Sequence, residues 1–252
     1  REDATTKAPL FDKVILDGVP GNYVHNVGPL EFGPDGKLYV SIGEIFLPDL
    51  AQDMNSLNGK ILRMNDDGTV PADNPQAGSY IFSLGHRNPQ GLTFNPETGV
   101  LWSTEHGPSE EQGCCNDEIN LIKAGANYGW PIIRASQSQA GLETPVYHSG
   151  DTTTWAPGGG IFVTQGEWKG SLLFTGLRGQ ALFRAVFDPS DATKIQSVER
   201  YLHQKFGRLR NIVEGSDGKL YIAISNQDGR GDPLTEDDRI IALTQRQIEE
   251  LK

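Results

Sequence analysis

Short stretches in which apolar and polar residues alternate, broken by Gly, Pro and Asp, recur along the whole chain. Residues 28–40 read GPLEFGPDGKLYV, residues 91–102 read GLTFNPETGVLW and residues 210–222 read RNIVEGSDGKLYI. In each, period-two apolar positions flank a turn whose Pro or Ser, acidic residue and Gly meet the backbone requirements of a hairpin. A looser copy, GGGIFVTQGEWKGSLLF, occupies residues 158–174. Each copy predicts two antiparallel strands. Helical spacing is scarce: TQRQIEELK near the C-terminal end predicts a helical turn, and LPDLAQDMNSLNGKILRM holds one short helix.

The outgoing strands of the four copies carry Tyr39, Trp102, Phe174 and Tyr221. These lie as far apart as, or farther apart than, a minimal blade of about 40–50 residues requires, so long loops must separate the strands. Repeated four-stranded antiparallel units with variable loops predict an all-β fold, a β-propeller, whose radial packing hides strand edges and leaves a central channel for ligands. Four blades' worth of signal is present. The 252 residues are read as one domain, 1–252.

Composition narrows the partners. A formal net charge of −11 argues against nucleic acid, which is held by clustered Lys and Arg. No run approaches the roughly 18 apolar residues of a membrane span. The acidic turns NDDG at 65–68 and DGRGDP at 228–233 lack the ligand spacing and closing Glu of an EF-hand and are read as turns. The only two cysteines, Cys114 and Cys115, are adjacent and cannot staple distant segments. Two free thiols in a loop is the first expectation, with a vicinal disulfide and a reactive or metal-bound thiolate as alternatives.

Six phrases, in order, give the sequence a more specific character: VHNVGPLEFGPDGKLYV, NSLNGKILRMNDDGTVPADNP, SLGHRNPQGLTFNPETG, STEHGP, NDEINLIKAGANYGWP and GRLRNIVEGSDGKLY. Over residues 11–243 the chain resembles the soluble aldose sugar dehydrogenases that depend on pyrroloquinoline quinone (PQQ), relatives of soluble glucose dehydrogenase. The resemblance implies a six-bladed propeller of which this chain covers about four blades, with blades ahead of the segment beginning FDKVILDGVPG. It further implies PQQ and Ca²⁺ as cofactors, an aldose sugar as substrate, an external electron acceptor, and a periplasmic or secreted location.

Residue roles follow from the same resemblance. Oxidising a sugar at C1 needs a base near neutral pKa facing an electrophilic cofactor, and His25 stands where the family places it. Pro29 replaces a residue that is usually basic there. Arg87 and Asn88 match residues near the quinone, and an Arg fork suits a carboxylate. Arg208 and Arg210 alternate along a strand, so both face one way, and the family match makes their anion the PQQ carboxylates. Where the family uses a lysine, Arg178 is the nearest cation. Carbonyls of Gly107 and Pro108 would hold Ca²⁺, a hard cation that prefers oxygen, with Asp117 as a ligand or as an orienting group and His106 close by.

Each of these residues also has an ordinary structural explanation: a strand-capping loop histidine, a turn-pinning Arg–Asn pair, surface arginines, loop polar groups. Trp130 and Trp155 are read first as packing residues and second as a sugar-stacking mouth. The competing function is a non-catalytic propeller that binds a protein or glycan. A metal-dependent lactone or ester hydrolase is a third, disfavoured because its metal would need carboxylates converging from several blades.

Overall fold

The structure, a computed structural model, describes residues 3, 5–108 and 114–252. Among these residues the chain forms four antiparallel sheets, each an up-and-down meander. The first contains β1 (Val27–Phe32), β2 (Leu38–Ile42), β3 (Lys60–Met64) and β4 (Ile81–Leu84). The second contains β5 (Pro89–Phe94), β6 (Leu101–Glu105), β7 (Glu118–Ile122) and β8 (Tyr147–His148). The third contains β9 (Pro157–Phe162), β10 (Leu172–Gly176), β11 (Ala181–Asp188) and β12 (Asp191–Tyr201), and the fourth has three strands, β13 (Leu209–Glu214), β14 (Leu220–Ile224) and β15 (Ile240–Leu243).

The repeats owe their shape to local turn chemistry. In the β1–β2 turn Asp35 accepts from the backbone N–H of Lys37 and from the Tyr39 hydroxyl, and in the β13–β14 turn Asp217 accepts in the same way from Lys219 and Tyr221. One side chain thus closes the turn and pins the outgoing aromatic. The strand pairs Glu31 with Tyr39, Thr93 with Trp102 and Val213 with Tyr221 follow.

The looser copy departs from this pattern. Leu172 and Phe174 pack back toward the second sheet, in a cluster with Trp102 and Ile119, whereas Leu173 joins the core shared with the fourth sheet. The position equivalent to Tyr39 and Trp102 is therefore Leu173, not Phe174. A one-residue offset in a period-two element moves a side chain to the opposite face.

The first strands of the sheets are neighbours: β1 packs on β5, β5 on β9 and β9 on β13. Ser41 donates to the Pro89 carbonyl at 3.0 Å and Thr104 to the Gly158 carbonyl at 3.2 Å, so hydroxyls on β2 and β6 tie each of the first two sheets to the next one's first strand. Gly158 is required by the approach that results, because a Cβ there would lie 2.2 Å from the Arg210 carbonyl oxygen.

Apolar clusters fill the spaces between successive sheets, and burying each large aromatic or aliphatic side chain contributes about 1.5–3 kcal/mol. A fourth cluster covers the outer face of the first sheet with Ile15, Leu16 and Val19. Leu30 and Phe32 on β1, and Val213 and Ile240 on the far face of the fourth sheet, remain exposed.

The C-terminal helix expected from TQRQIEELK is α1 (Gln245–Glu250), closed by a reciprocal capping box between Thr244 and Gln247. The second helical expectation reduces to a 3-10 turn at Pro48–Ala51. Cys114 and Cys115 form a disulfide, which overturns the free-thiol expectation. Adjacency in sequence is compatible with either state, and only the placement of the two side chains decides between them. Trp155 packs among Tyr147, Phe174 and Phe183 as a core residue. No helix among the described residues is long and apolar enough to cross a membrane.

Candidate active site

A cavity of about 680 Å³ opens at one end of the inner strands. Its wall is built from the segment before β1, the start of β5, the loop after β6, the turn between β10 and β11, the start of β13 and the loop after β14. His25, Asn88, Gly107, Pro108, Asp117, Arg178, Arg208 and Arg210, widely scattered in sequence, all line it. Arg87 does not.

His25 sits in a left-handed backbone conformation (φ 52°), its carbonyl accepting from the N–H of Ile45. Its Nδ1–H is donated to Oε1 of Glu44, a carboxylate at 0 % exposure that also accepts from the N–H of Phe46 at 3.2 Å. With Nδ1 turned to the Glu44 carboxylate, Nε2 is the ring nitrogen left for the cavity. That is the arrangement of a general base whose tautomer is fixed from behind.

Arg208 reaches Asp228 Oδ2 through Nε at 3.1 Å and Nη2 at 2.8 Å, and Arg210 Nη2 reaches the same oxygen at 3.1 Å. Arg230, whose N–H binds Asp228 Oδ1, lines the same wall. Burial raises the Asp228 carboxyl, but the hydrogen bonds from Arg208 and the Arg230 N–H, together with the charges of Arg208 and Arg210, outweigh it and hold the group below its usual range. Burial pulls the Arg210 guanidinium down, as does its neighbour Arg208. Three cations around one carboxylate leave excess positive charge facing the cavity, which fits an anion.

Asp117, expected at the metal as a ligand or an orienting group, is engaged by donors on both oxygens. Its Oδ1 accepts from the Gly107 N–H at 2.9 Å, and its Oδ2 accepts from Thr154 Oγ1, Trp155 N and Ala156 N. With its oxygens so engaged, its place is to hold the 106–108 loop. Gly107 leaves no room for a side chain, since a Cβ would meet the Cys115 and Asn116 carbonyl oxygens at 2.0 and 2.3 Å. His106 donates Nε2–H to the Pro157 carbonyl at 2.7 Å, and burial pulls its pKa down to about 4. It is a neutral ring.

Asn88 presents its amide NH₂ to the cavity, since its Oδ1 accepts from Gln90 at 3.0 Å and its backbone N–H binds Glu105. Arg87, expected beside it, runs behind the loop: its guanidinium lies 5.4 Å from the Trp130 ring and donates to the His106 carbonyl at 3.3 Å. The indole surface and that carbonyl offer a buried cation better contacts than the open cavity does. Trp130 is accordingly a packing residue. Arg178 lies in the β10–β11 turn, exposed at the cavity wall.

Sequence reasoning missed Glu44, Asp228, Arg230 and Tyr23. Asp228 and Arg230 stood in a segment read as a turn; the signal that would have marked it is its place after β14, beside the paired arginines at the start of β13 and just before it.

The donor set suits the cofactors expected from the sequence. Excess guanidinium charge matches a polycarboxylate quinone, an amide NH₂ matches quinone oxygens, and a tightly packed glycine–proline loop matches a hard cation bound through backbone oxygen.

Comparison with known proteins agrees with this chemistry. A family model described as glucose/sorbosone dehydrogenase matches residues 2–236. Aldose sugar dehydrogenase YliI of Escherichia coli is 31% identical over 226 residues, covering 81% of this chain and 58% of that protein. A solved structure from Thermus thermophilus described as a glucose dehydrogenase superposes with a TM-score of 0.84 at 44% identity, covering 92% of this chain and 69% of its own. The PQQ-bound aldose sugar dehydrogenase of Streptomyces coelicolor gives a TM-score of 0.79 at 38% identity, over 89% of this chain and 63% of its own. The chain therefore spans little more than half the length of its E. coli relative, and it belongs to the glucose/sorbosone dehydrogenase family.

Proposed function

We propose that this chain carries the catalytic wall of a PQQ- and Ca²⁺-dependent dehydrogenase that oxidises aldoses at C1 to the lactone, and that its sheets are four blades of a six-bladed propeller. The observation that carries the reading is the pairing, across one cavity, of a base oriented by a buried carboxylate with a wall of excess positive charge.

His25 Nε2 takes the proton of the C1 hydroxyl, and Glu44 stabilises the imidazolium that forms. Arg208, Arg210 and Arg230 bind the cofactor carboxylates, and Asn88 orients the quinone through its amide. The backbone oxygens of Gly107 and Pro108 would hold Ca²⁺, with Asp117 keeping the loop in place. When bound, PQQ would supply the two-electron acceptor for the sugar oxidation, Ca²⁺ would supply electrophilic activation, and the electrons would pass on to an external acceptor. The Cys114–Cys115 disulfide suits an oxidising compartment, in keeping with a periplasmic or secreted protein.

The test is titration of EDTA-treated protein with PQQ, with and without Ca²⁺, followed by dye reduction with a panel of aldoses. Calcium-dependent binding and dye reduction that disappears in His25→Ala are expected. Absence of PQQ binding at any Ca²⁺ concentration overturns the reading in favour of a non-catalytic propeller.

A further inference from the structure

Tyr23 lines the cavity yet leaves 78 % of its surface to solvent. We infer that it is a substrate-contacting residue, its ring forming the platform on which the aldose ring stacks while the C1 hydroxyl meets His25. The inference rests on the dehydrogenase reading and adds to it a residue that selects for the apolar face of a sugar.

The backbone around Tyr23 is built, not loose. The Asn22 N–H donates to Asn26 Oδ1 at 2.8 Å, and Asn26 Nδ2 donates back to the Asn22 carbonyl at 2.7 Å, so the five-residue segment is closed on itself. Asn22 Nδ2 also donates to the Ile45 carbonyl at 2.8 Å, fastening that segment to the one carrying Glu44. Between the two stands Phe46, whose ring centroid is 6.4 Å from that of Tyr23 and 5.6 Å from that of His25. The carboxylate that orients the base also accepts the Phe46 N–H. Base and exposed ring are thus held in one frame.

An aromatic face fixed in this way and left in water gains only when a ligand covers it. The rest of the wall is mostly polar, with Asn88, Gln90, Asp228 and the arginines beside Val24, Pro108, Ala156 and Leu177. A ligand that matches both must have an apolar face and a rim of hydroxyls, which describes a pyranose. Tyr23 is two residues from His25, so their Cα atoms are at most about 7 Å apart. A sugar whose anomeric hydroxyl is at the base therefore has its ring within reach of the tyrosine.

The experiment compares wild type, Tyr23→Ala and Tyr23→Phe, each loaded with PQQ and Ca²⁺, in aldose kinetics and in saturation-transfer NMR of the sugar C–H protons. Tyr23→Ala is expected to raise KM about five- to tenfold with kcat within about twofold, and to lose the saturation transfer. Tyr23→Phe keeps both, because the ring and not the hydroxyl makes the contact. Unchanged KM and saturation transfer in Tyr23→Ala overturn the inference, and so does a Tyr23→Phe as impaired as Tyr23→Ala. A wild-type chain that binds PQQ but neither oxidises nor contacts any aldose overturns instead the dehydrogenase reading beneath it.

Discussion

Glu44 accepts the Nδ1–H of His25 from a position with no access to solvent. A carboxylate so placed fixes the imidazole tautomer and compensates the charge that proton abstraction creates. Glu44→Gln keeps the shape but removes the charge and lets the side chain present an NH₂, which drives the ring toward the wrong tautomer. Its kcat is expected to fall by on the order of 10²-fold or more, while PQQ affinity stays at the wild-type value in a fluorescence titration. An equal loss of PQQ affinity would assign Glu44 to the fold and not to the base.

Arg208 and Arg210 share one oxygen of Asp228 but differ in exposure, at 9% and 42% of the side chain. Arg210→Ala removes a cation that solvent already reaches, so its cost falls on the ligand. PQQ affinity should drop about tenfold or more with little change in the urea midpoint. Arg208→Ala also strips two hydrogen bonds from Asp228, and should lower the urea midpoint as well as the affinity. Equal stability losses in the two variants would contradict this division.

What could be read from the sequence, and what could not, follows from the range of the interactions. The hairpins at 28–40, 91–102 and 210–222 were legible because Asp35, Asn95 and Asp217 complete their turns within four residues. The nearness of Arg208 and Arg210 was legible because they are two residues apart, and both reach Asp228 although Arg208 precedes β13 and a bulge follows it. Asp228 was not, because its partners lie across the β13–β14 hairpin, and a turn motif hides its charge. Arg87 is placed by a contact of longer range: GHRNP fixes the backbone, but the Trp130 ring beside its guanidinium arrives from a loop 43 residues on. Phe174 shows that a repeat recognised by its aromatic can be one residue out of register, which only the sheet reveals.

Gly107 lies where two backbone carbonyls leave no space for a methyl group. Gly107→Ala must displace the loop, since neither the Cys115 nor the Asn116 oxygen can rotate aside. The N–H that binds Asp117 moves with it. Thermal unfolding should show a loss of about 1–3 kcal/mol, and Ca²⁺ titration should show that PQQ binding no longer responds to the metal. A Gly107→Ala protein with wild-type Ca²⁺ response would remove this loop from the metal site.

Arg63 makes the first sheet sensitive to acid. Its guanidinium binds Asp35 Oδ2 through Nε at 3.0 Å and Nη2 at 2.9 Å, and grips Asp73 with both terminal nitrogens. Burial raises the Asp35 carboxyl, but the Lys37 N–H and the Arg63 hydrogen bond outweigh it, and Arg63 holds Asp73 down more simply. Carboxylates whose folded pKa lies below the unfolded value of 3.8 contribute stability that is fully present above that pH and is lost as pH falls through their folded values. Arg63→Met removes the partner and lets both groups return toward 3.8. The variant should have a lower urea midpoint than the wild type at neutral pH. Its urea midpoint should then fall less steeply than that of the wild type between about pH 4 and about pH 2, because less of its stability depends on these two charges. Parallel acid limbs in the two proteins would place the acid sensitivity elsewhere.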